Sequence, residues 1–197
     1  MITESLLLQW GAGEKKYEKG EYLFSEGDQV MYYFQVKVGK IKMFNLNEDG
    51  KLFIQGIFEA GDSFGEPPIF ANSPYPAGAV AEENSVVYRL NRNLFIDLLK
   101  VNPEIHLQFT HVLAERLLYK SMQLREISGF NPEHRILSLF RYLKKEQQSN
   151  GDTKFEIKLT RQDIADLTGL RVETIIRAVK TLEKQKSIEI FNHKIYY

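Results

Sequence analysis

The sequence predicts an α+β protein with an N-terminal all-β region, one long helix, and a small C-terminal domain of helices and a hairpin. Three observations predict it. Short aromatic and β-branched runs alternate with turn residues over 17–90. Helical spacing of apolar residues replaces that pattern near Asn91 and continues to Ser128. After the break at Gly129–Pro132, two short helices precede a closing hairpin over Ser187–Tyr197.

The composition excludes several classes of protein. A chain of 197 residues with 43% hydrophobic and 26% charged residues is an ordinary globular protein of one or two domains. It has no Cys, which excludes disulfides, thiolate zinc sites, Cys-ligated iron–sulfur clusters and thiol nucleophiles. No apolar run approaches the ~18 residues of a membrane span, and no basic segment precedes the short Leu6–Leu8 run. We therefore expect no signal peptide, no membrane association and a cytoplasmic location.

The charge divides unevenly along the chain. Residues 1–128 carry 13 Lys/Arg and 17 Asp/Glu, net −4, whereas residues 129–197 carry 13 and 9, net +4. A basic module behind an acidic one is compatible with a nucleic-acid-binding domain attached to another domain. The charge imbalance alone does not establish DNA binding, because differences of this size are common among domains that never contact DNA.

The N-terminal region predicts several short strands. Met31–Phe44, Leu52–Phe58 and Val86–Leu90 are rich in aromatic and branched residues. Turn signals separate the runs at Lys19–Gly20, Glu26–Asp28, Gly39, Asp49–Gly50 and Gly61–Asp62. This arrangement is typical of a sandwich or barrel.

The middle of the chain predicts helices. Leu94, Phe95, Leu98 and Leu99 have helical spacing, and Asn102–Pro103 begins a second, longer helix. Its apolar seam is heptad-like and consists of Phe109, Leu113, Leu117, Lys120, Leu124 and Ile127. The seam fits a helix packed on its own domain and a helix paired with a second chain equally well. Lys120 is unusual in a plain core and indicates either a register device or a ligand contact.

The C-terminal module begins with a capped helix. Asn131–Pro132 provides an N-cap and a first-turn proline, and an amphipathic pattern over 136–143 follows. Ser149–Asp152 predicts a turn and Phe155–Leu159 a strand. The final hairpin is predicted to turn at Asn192–His193.

The next two helices have the spacing of a helix-turn-helix. Thr160 and Asp163 form a capping-box start. Ala165 is a small residue that allows the two helices to approach closely. Gly169, four residues later, permits a tight turn, and Ile175, six residues after Gly169, packs the second helix against the first.

The second helix, Val172–Gln185, exposes polar side chains in its first turns. Glu173 and Arg177 share a face because they are four residues apart. They fit either an exposed ion pair, which contributes little, or base readout in the major groove. The hydroxyl of Thr174 and the cationic side chains of Arg161 and Lys180 are suited to contacts with the backbone phosphates of DNA. The predicted DNA-contacting residues are Thr160, Arg161, Gln162, Arg171, Glu173, Thr174, Arg177 and Lys180.

Over nearly its whole length, the chain resembles the CRP/FNR family of bacterial transcription regulators. The stretch LTRQDIADLTGLRVETIIRAVKTLEKQKSIEI is similar to that family's winged helix-turn-helix, and KGEYLFSEGD and AGDSFGE are similar to its β-roll sensor domain. The resemblance implies a homodimer, joined through the long helix, on a near-palindromic double-stranded DNA site. It implies that Glu173 and Arg177 read bases and that RNA polymerase is a partner. RVETIIR looks more like the FNR branch, although Ile176 stands where that branch has a base-reading serine.

The resemblance also implies a division into domains. Residues 1–101 correspond to a β-roll or jelly-roll sensor domain, 102–128 to the dimerisation helix, and 129–197 to the winged helix-turn-helix. An effector in the β-roll, acting on the long helix, would shift the population between two dimer arrangements.

The sensor region departs from the cyclic-nucleotide-binding pattern. Gly65–Glu66 is present, but Pro76–Ala77 stand where the family has Arg-Ser or Arg-Thr, so a cyclic phosphate lacks its counter-charge there. We therefore expect a small effector other than cyclic AMP, of unknown identity, or none, and no cofactor. The candidate effector-pocket residues are Phe64, Gly65, Glu66, Tyr75, Ala77, Lys120 and Ser121.

Other functions find less support in the sequence. No His lies in the predicted β-roll to ligate haem, and no nucleophile–base pair, metal-spaced His set or P-loop is present, so we expect neither a metal site nor an enzyme. The alternative is a cyclic-nucleotide- or small-ligand-binding sensor module with little DNA-binding activity. Retention of Thr160, Gly169, Glu173 and Arg177 argues against it.

Overall fold

The computed structural model describes residues 2–46, 50, 52–146 and 154–197, except the side chains of 126–128 and 146. The chain divides into two compact units, Met1–Glu115 and Arg116–Tyr197. Of the predicted turns, Asp49 and Ser149–Asp152 lie outside the described residues, as do the side chains of Ile127 and Ser128. The predicted domain boundaries remain predictions.

The first unit contains two four-stranded antiparallel sheets. One has the order β1-β8-β3-β6 and the other β2-β7-β4-β5, so of the predicted sandwich or barrel the structure has two sheets of short strands. Its strands are β1 Gly13–Tyr17, β2 Tyr22–Phe24, β3 Tyr32–Val38, β4 Ile41–Leu46, β5 Leu52–Phe58, β6 Ser63–Phe64, β7 Gly78–Ala81 and β8 Ser85–Asn91. Its helices are α1 Glu4–Gln9, α2 Pro67–Ala71 and α3 Arg92–Val101, followed by the start of α4 Pro103–Gly129.

The predicted run Met31–Phe44 forms the two strands β3 and β4, with the predicted turn at Gly39 between them. The chain turns at Gly39, whose φ is 93°. A Cβ at Gly39 would approach the Ser85 Cα to 2.8 Å, so both the backbone conformation and the close approach of β8 require glycine.

The core of the first unit is aromatic. Tyr33 and Phe95 stack with ring centroids 4.3 Å apart, and Phe109 meets both rings edge-on. Aromatic pairs in these geometries add stability beyond the area that they bury. Phe109 therefore anchors the first turns of α4 to the sandwich.

The predicted seam of α4 is only partly buried. Phe109 is buried in the core, Leu113 and Lys120 are half-buried, and Leu117 and Leu124 are exposed. The seam residues lie along the border between the buried side of α4, the packed face, and its exposed side, the open face. Residue spacing alone does not show which of the two sides is buried. The large apolar residues on the open face are Leu107, Leu117, Leu118 and Leu124.

The second unit combines helices with a small sheet. Its elements are the end of α4, α5 Pro132–Glu146, β9 Glu156–Ile157, α6 Arg161–Thr168, α7 Val172–Lys184, β10 Glu189–Phe191 and β11 Lys194–Tyr196. The sheet order is β10-β11-β9, and the strand predicted at Phe155–Leu159 is reduced to β9. The hairpin turns at Asn192 and His193, both at positive φ, as expected for a two-residue turn. Within the described residues, no helix is both long and apolar enough to span a membrane.

Candidate nucleic-acid interface

Helix α6 begins with the predicted capping box. The Asp163 amide donates to Thr160 Oγ1 at 3.0 Å, and the Thr160 amide donates to Asp163 Oδ2 at 2.9 Å. Two otherwise unsatisfied amides of the first turn are thereby paired. The Thr160 hydroxyl also donates to Asp163 Oδ2 at 2.6 Å, so this predicted DNA contact also fixes the start of the helix.

The turn between α6 and α7 depends on Gly169. Its φ of 68° is left-handed, and its amide donates to the Ala165 carbonyl to close the helix. The amide of Leu170 donates to the same carbonyl at 3.1 Å. Arg171 is then already the N-cap of α7, so the turn is as short as the sequence spacing predicts.

Helix α7 has one buried face and one exposed face. Its buried residues are Ile175, Ala178, Val179 and Leu182. Its exposed residues between Val172 and Lys180 are Glu173, Ile176, Arg177 and Lys180. This spacing of three, four and seven residues places the exposed set along one stripe, as a helix that enters a groove requires.

The two predicted base-reading side chains are available. In the part of the chain that the structure describes, neither the Glu173 carboxylate nor the Arg177 guanidinium has a hydrogen-bond or ion-pair partner. The intrahelical ion pair, one of the two alternatives for these residues, is therefore not formed. A free carboxylate accepts from an amino group, and a free guanidinium donates to two acceptors at once.

A cleft of about 700 Å³ adjoins this stripe. It lies between the start of α6, helix α7 and the three-stranded sheet, and Arg161, Ile176 and Lys180 line it. Partial burial lowers the pKa of Arg161 from its usual value. Lys158, His193 and Lys194 also line the cleft, and sequence reasoning missed these three. The only signal for them was the basic character of the segments that flank the helices.

The remaining predicted DNA contacts are also on the surface. Arg171 and Gln162 are exposed, and Thr174 is half-buried. Gln162 Nε2 donates to Asp166 Oδ1 at 2.9 Å, which holds its amide along α6. Lys194 pairs with Glu156 at 2.8 Å, so part of the charge at the cleft is already compensated.

The candidate effector residues of the first unit are buried. Phe64, Gly65, Glu66, Tyr75 and Ala77 are all inaccessible. A Cβ on Gly65 would lie 3.2 Å from the Tyr75 ring and 3.3 Å from the Phe24 ring, so these residues do come together. Lys120 and Ser121 lie in the second unit, where Lys120 is half-buried and Ser121 exposed.

Side chains of the first unit already occupy the Gly65–Glu66 region. Tyr75 stacks on Phe24 at 3.7 Å between ring centroids, and the Ser63 hydroxyl donates to the Glu66 carboxylate. Burial raises the pKa of Tyr75, with further increases from Glu66 and then Asp28.

The backbone carbonyl of Pro76 also accepts a hydrogen bond from within the first unit. Asn45 Nδ2 donates to it at 2.6 Å, and Asn45 Oδ1 in turn accepts from Gln55 Nε2 at 2.9 Å. This proline stands at the arginine position of the nucleotide-binding pattern, where its side chain offers no charge and no donor.

Two protein-family models match the chain. The cyclic nucleotide-binding domain matches residues 14–102, and the Crp-like helix-turn-helix domain matches residues 134–196. Among solved structures, FixK2 from Bradyrhizobium japonicum has a TM-score of 0.77 at 20% identity, with 94% of this chain and 91% of that chain covered. CprK complexed with OCPA has a TM-score of 0.78 at 20% identity, covering 98% and 91%. These two similarities show the fold.

Named relatives agree with the two models. Electron transport regulator A of Shewanella oneidensis is 29% identical over 179 residues, which are 90% of this chain and 71% of the relative. The fumarate and nitrate reduction regulatory protein of Vibrio cholerae is 28% identical over 189 residues, 91% and 75% of the two chains. These relatives are regulators, not enzymes. With both domain matches in the expected order, the chain belongs to the CRP/FNR family of DNA-binding transcription regulators.

Proposed function

We propose that the chain binds a near-palindromic DNA site as a homodimer and reads each half-site with Glu173 and Arg177 of α7. The observation that carries this proposal is the exposed stripe of α7, on which both side chains lack a partner in the described part of the chain. A buried opposite face holds the helix against its own domain. The stripe is therefore free to enter the major groove.

The chemistry of the two residues defines what they read. Arg177 donates two hydrogen bonds to O6 and N7 of guanine, and Glu173 accepts from N4 of cytosine. Each good pair of this type contributes about 1–3 kcal/mol of discrimination against the wrong base. The cations Arg161, Arg171 and Lys180 suit backbone phosphates, which fix the register of the helix on the duplex.

The homodimer is proposed to form through α4. Four large apolar side chains lie on its open face, with Leu117 67% and Leu118 71% exposed. Exposed apolar surface of this kind is typically covered by a partner. A two-fold axis along α4 relates two copies of α7, which then meet two successive major grooves.

The β-roll is proposed to respond to a small effector other than cyclic AMP, or to none. The Glu66 carboxylate is 1% exposed and accepts from Ser63, so it is already engaged where a ribose hydroxyl would bind. Pro76 brings no charge to a cyclic phosphate, and an unpaired phosphate out of water is unfavourable. No cofactor is assigned to this site.

Two further elements of the proposal rest on family membership. The dimer on DNA is proposed to contact RNA polymerase, because a regulator of transcription acts on that enzyme or on its access to the promoter. It is proposed to act in the cytoplasm, where bacterial DNA is located.

Selection of duplexes from a random pool by the purified chain tests the proposal. We expect enrichment of a palindrome with guanine and cytosine at matching positions of each half-site, in the presence and absence of cyclic AMP. Enrichment only with cyclic AMP would contradict the assignment of the β-roll. No enrichment in either condition, with a folded chain, would contradict DNA binding by the free protein.

A further inference from the structure

Helix α7 exposes one large apolar side chain within its charged stripe. Ile176 is 43% exposed, whereas its neighbour Ile175 is fully buried. Consecutive helical residues are 100° apart, so burial of Ile175 accounts for the exposure of position 176. The burial of Ile175 does not explain why position 176 is an isoleucine. A polar residue would be expected at an exposed position with charged neighbours on both sides.

The position of Ile176 is set by the two proposed base readers. It follows Glu173 by three residues and immediately precedes Arg177, and all three lie on the exposed stripe. Helical residues three or four apart have Cβ atoms about 5–6 Å from each other. When Glu173 and Arg177 reach base edges, Ile176 therefore faces a base edge in the same groove.

The chemistry of the side chain limits what it recognises there. The isoleucine side chain neither donates nor accepts a hydrogen bond, so it cannot recognise a base edge by hydrogen bonding. The only apolar group that an unmodified base pair presents in the major groove is the C5-methyl of thymine. The branched Cβ restricts rotation about χ1, so the apolar surface is presented in a defined orientation.

We infer that Ile176 is a specificity-determining residue that packs against a thymine methyl group in each half-site, next to the bases read by Glu173 and Arg177. This inference rests on the proposed function. It assigns to the half-site a thymine whose recognition needs no hydrogen bond. It also accounts for an exposed isoleucine in the cleft that Arg161 and Lys180 line.

The test uses the duplex selected by the chain, with each half-site thymine replaced in turn, symmetrically, by deoxyuridine. This change deletes one methyl group and leaves every hydrogen-bonding atom in place. Binding is measured by fluorescence anisotropy at fixed salt. We expect a single position at which deoxyuridine weakens binding about fourfold for each half-site, or about fifteenfold for the dimer, as expected for burial of one methyl group.

Variants of the chain assign the effect to Ile176. In Ile176→Ala, binding to the thymine duplex weakens and the deoxyuridine penalty falls below about twofold. Ile176→Val keeps the branched Cβ and should keep most of the penalty. Phe191→Ala, which removes an exposed ring from β10, should leave the penalty unchanged.

The outcomes separate the two proposals. If a site is selected and bound tightly but no deoxyuridine substitution weakens binding, methyl recognition is wrong and base reading by Glu173 and Arg177 stands. An undiminished penalty in Ile176→Ala would also refute the role of this residue. If no duplex is enriched, the proposed function fails and this inference fails with it.

Discussion

Arg135 Nη2 on α5 donates a hydrogen bond to the carbonyl of Thr168, the last residue of α6. Gln123 Nε2 on α4 donates to the neighbouring carbonyl of Leu167 at 3.4 Å. The last carbonyls of a helix have no partner within it. The turn of the helix-turn-helix is therefore held by side chains from two other helices of the same unit, one of them the long helix.

Arg135→Ala should destabilise the second unit. It removes a charged donor from the half-buried end of α6 and leaves the Thr168 carbonyl unsatisfied, which costs about 1–3 kcal/mol. Urea unfolding followed by helical circular dichroism measures the loss. Arg141→Ala, an exposed position on the same helix, is the matched control and should change stability by less than about 0.5 kcal/mol. Equal effects of the two substitutions would contradict the assignment.

Arg177→Ala should weaken binding to the selected duplex by about 1–3 kcal/mol and relax preference at one base pair of each half-site. The reason is loss of the two parallel hydrogen bonds to guanine. Anisotropy titrations with duplexes changed at single base pairs measure both effects. Arg177→Lys keeps the charge without the two-pronged geometry, so it should lose specificity while retaining the salt dependence of binding. Unchanged specificity in Arg177→Ala would remove Arg177 from the base-reading pair.

Lys180→Ala should behave differently from Arg177→Ala. As a phosphate contact, Lys180 adds affinity for any sequence, so its loss should weaken binding to selected and random duplexes by similar factors. The slope of log K against log salt should fall in magnitude by about 1 for each subunit. Titrations at several salt concentrations measure it. A loss confined to the selected duplex would indicate that Lys180 reads a base instead.

Leu118→Glu should convert the dimer into a monomer. The side chain is 71% exposed on the open face of α4, and a buried carboxylate without a partner is strongly unfavourable in an apolar interface. Light scattering coupled to size-exclusion chromatography measures the mass. Gln108→Glu introduces the same charge at an exposed position off the apolar stripe and should leave the dimer intact. A dimer that survives Leu118→Glu would place the interface elsewhere.

Local signals predicted most of the elements, and tertiary contacts decided what the sequence left open. The capping box at Thr160 and the turn at Gly169 involve residues only a few positions apart, so their spacing is readable. Phe109 is buried against Tyr33 of β3 and Phe95 of α3, and residue spacing within α4 could not decide between this packing and pairing with a second chain. Lys158 and Lys194 join the cleft only because the sheet packs beside α7, and no local pattern marks that.

Lys120→Met should stabilise the protein in a pH-dependent way. Burial lowers the pKa of Lys120 to about 8, because removal of the ammonium group from water penalises its charged form. An unfolded lysine titrates at pH ~10.4. Between these values the unfolded chain binds more protons, so stability rises with pH through this window, and below pH 8 the full penalty applies.

The substitution removes that penalty. We expect the free energy of unfolding of Lys120→Met to exceed that of the unchanged protein by about 1–3 kcal/mol at pH 7, and the difference to close above pH ~10.5. Thermal and urea unfolding at pH 7, 9 and 10.5 measure it. Lys16→Met, at an exposed lysine, controls for the general effect of losing a charge and should show no such trend. If the two variants gave parallel pH profiles, the partly buried ammonium group of Lys120 would not be the source of the effect.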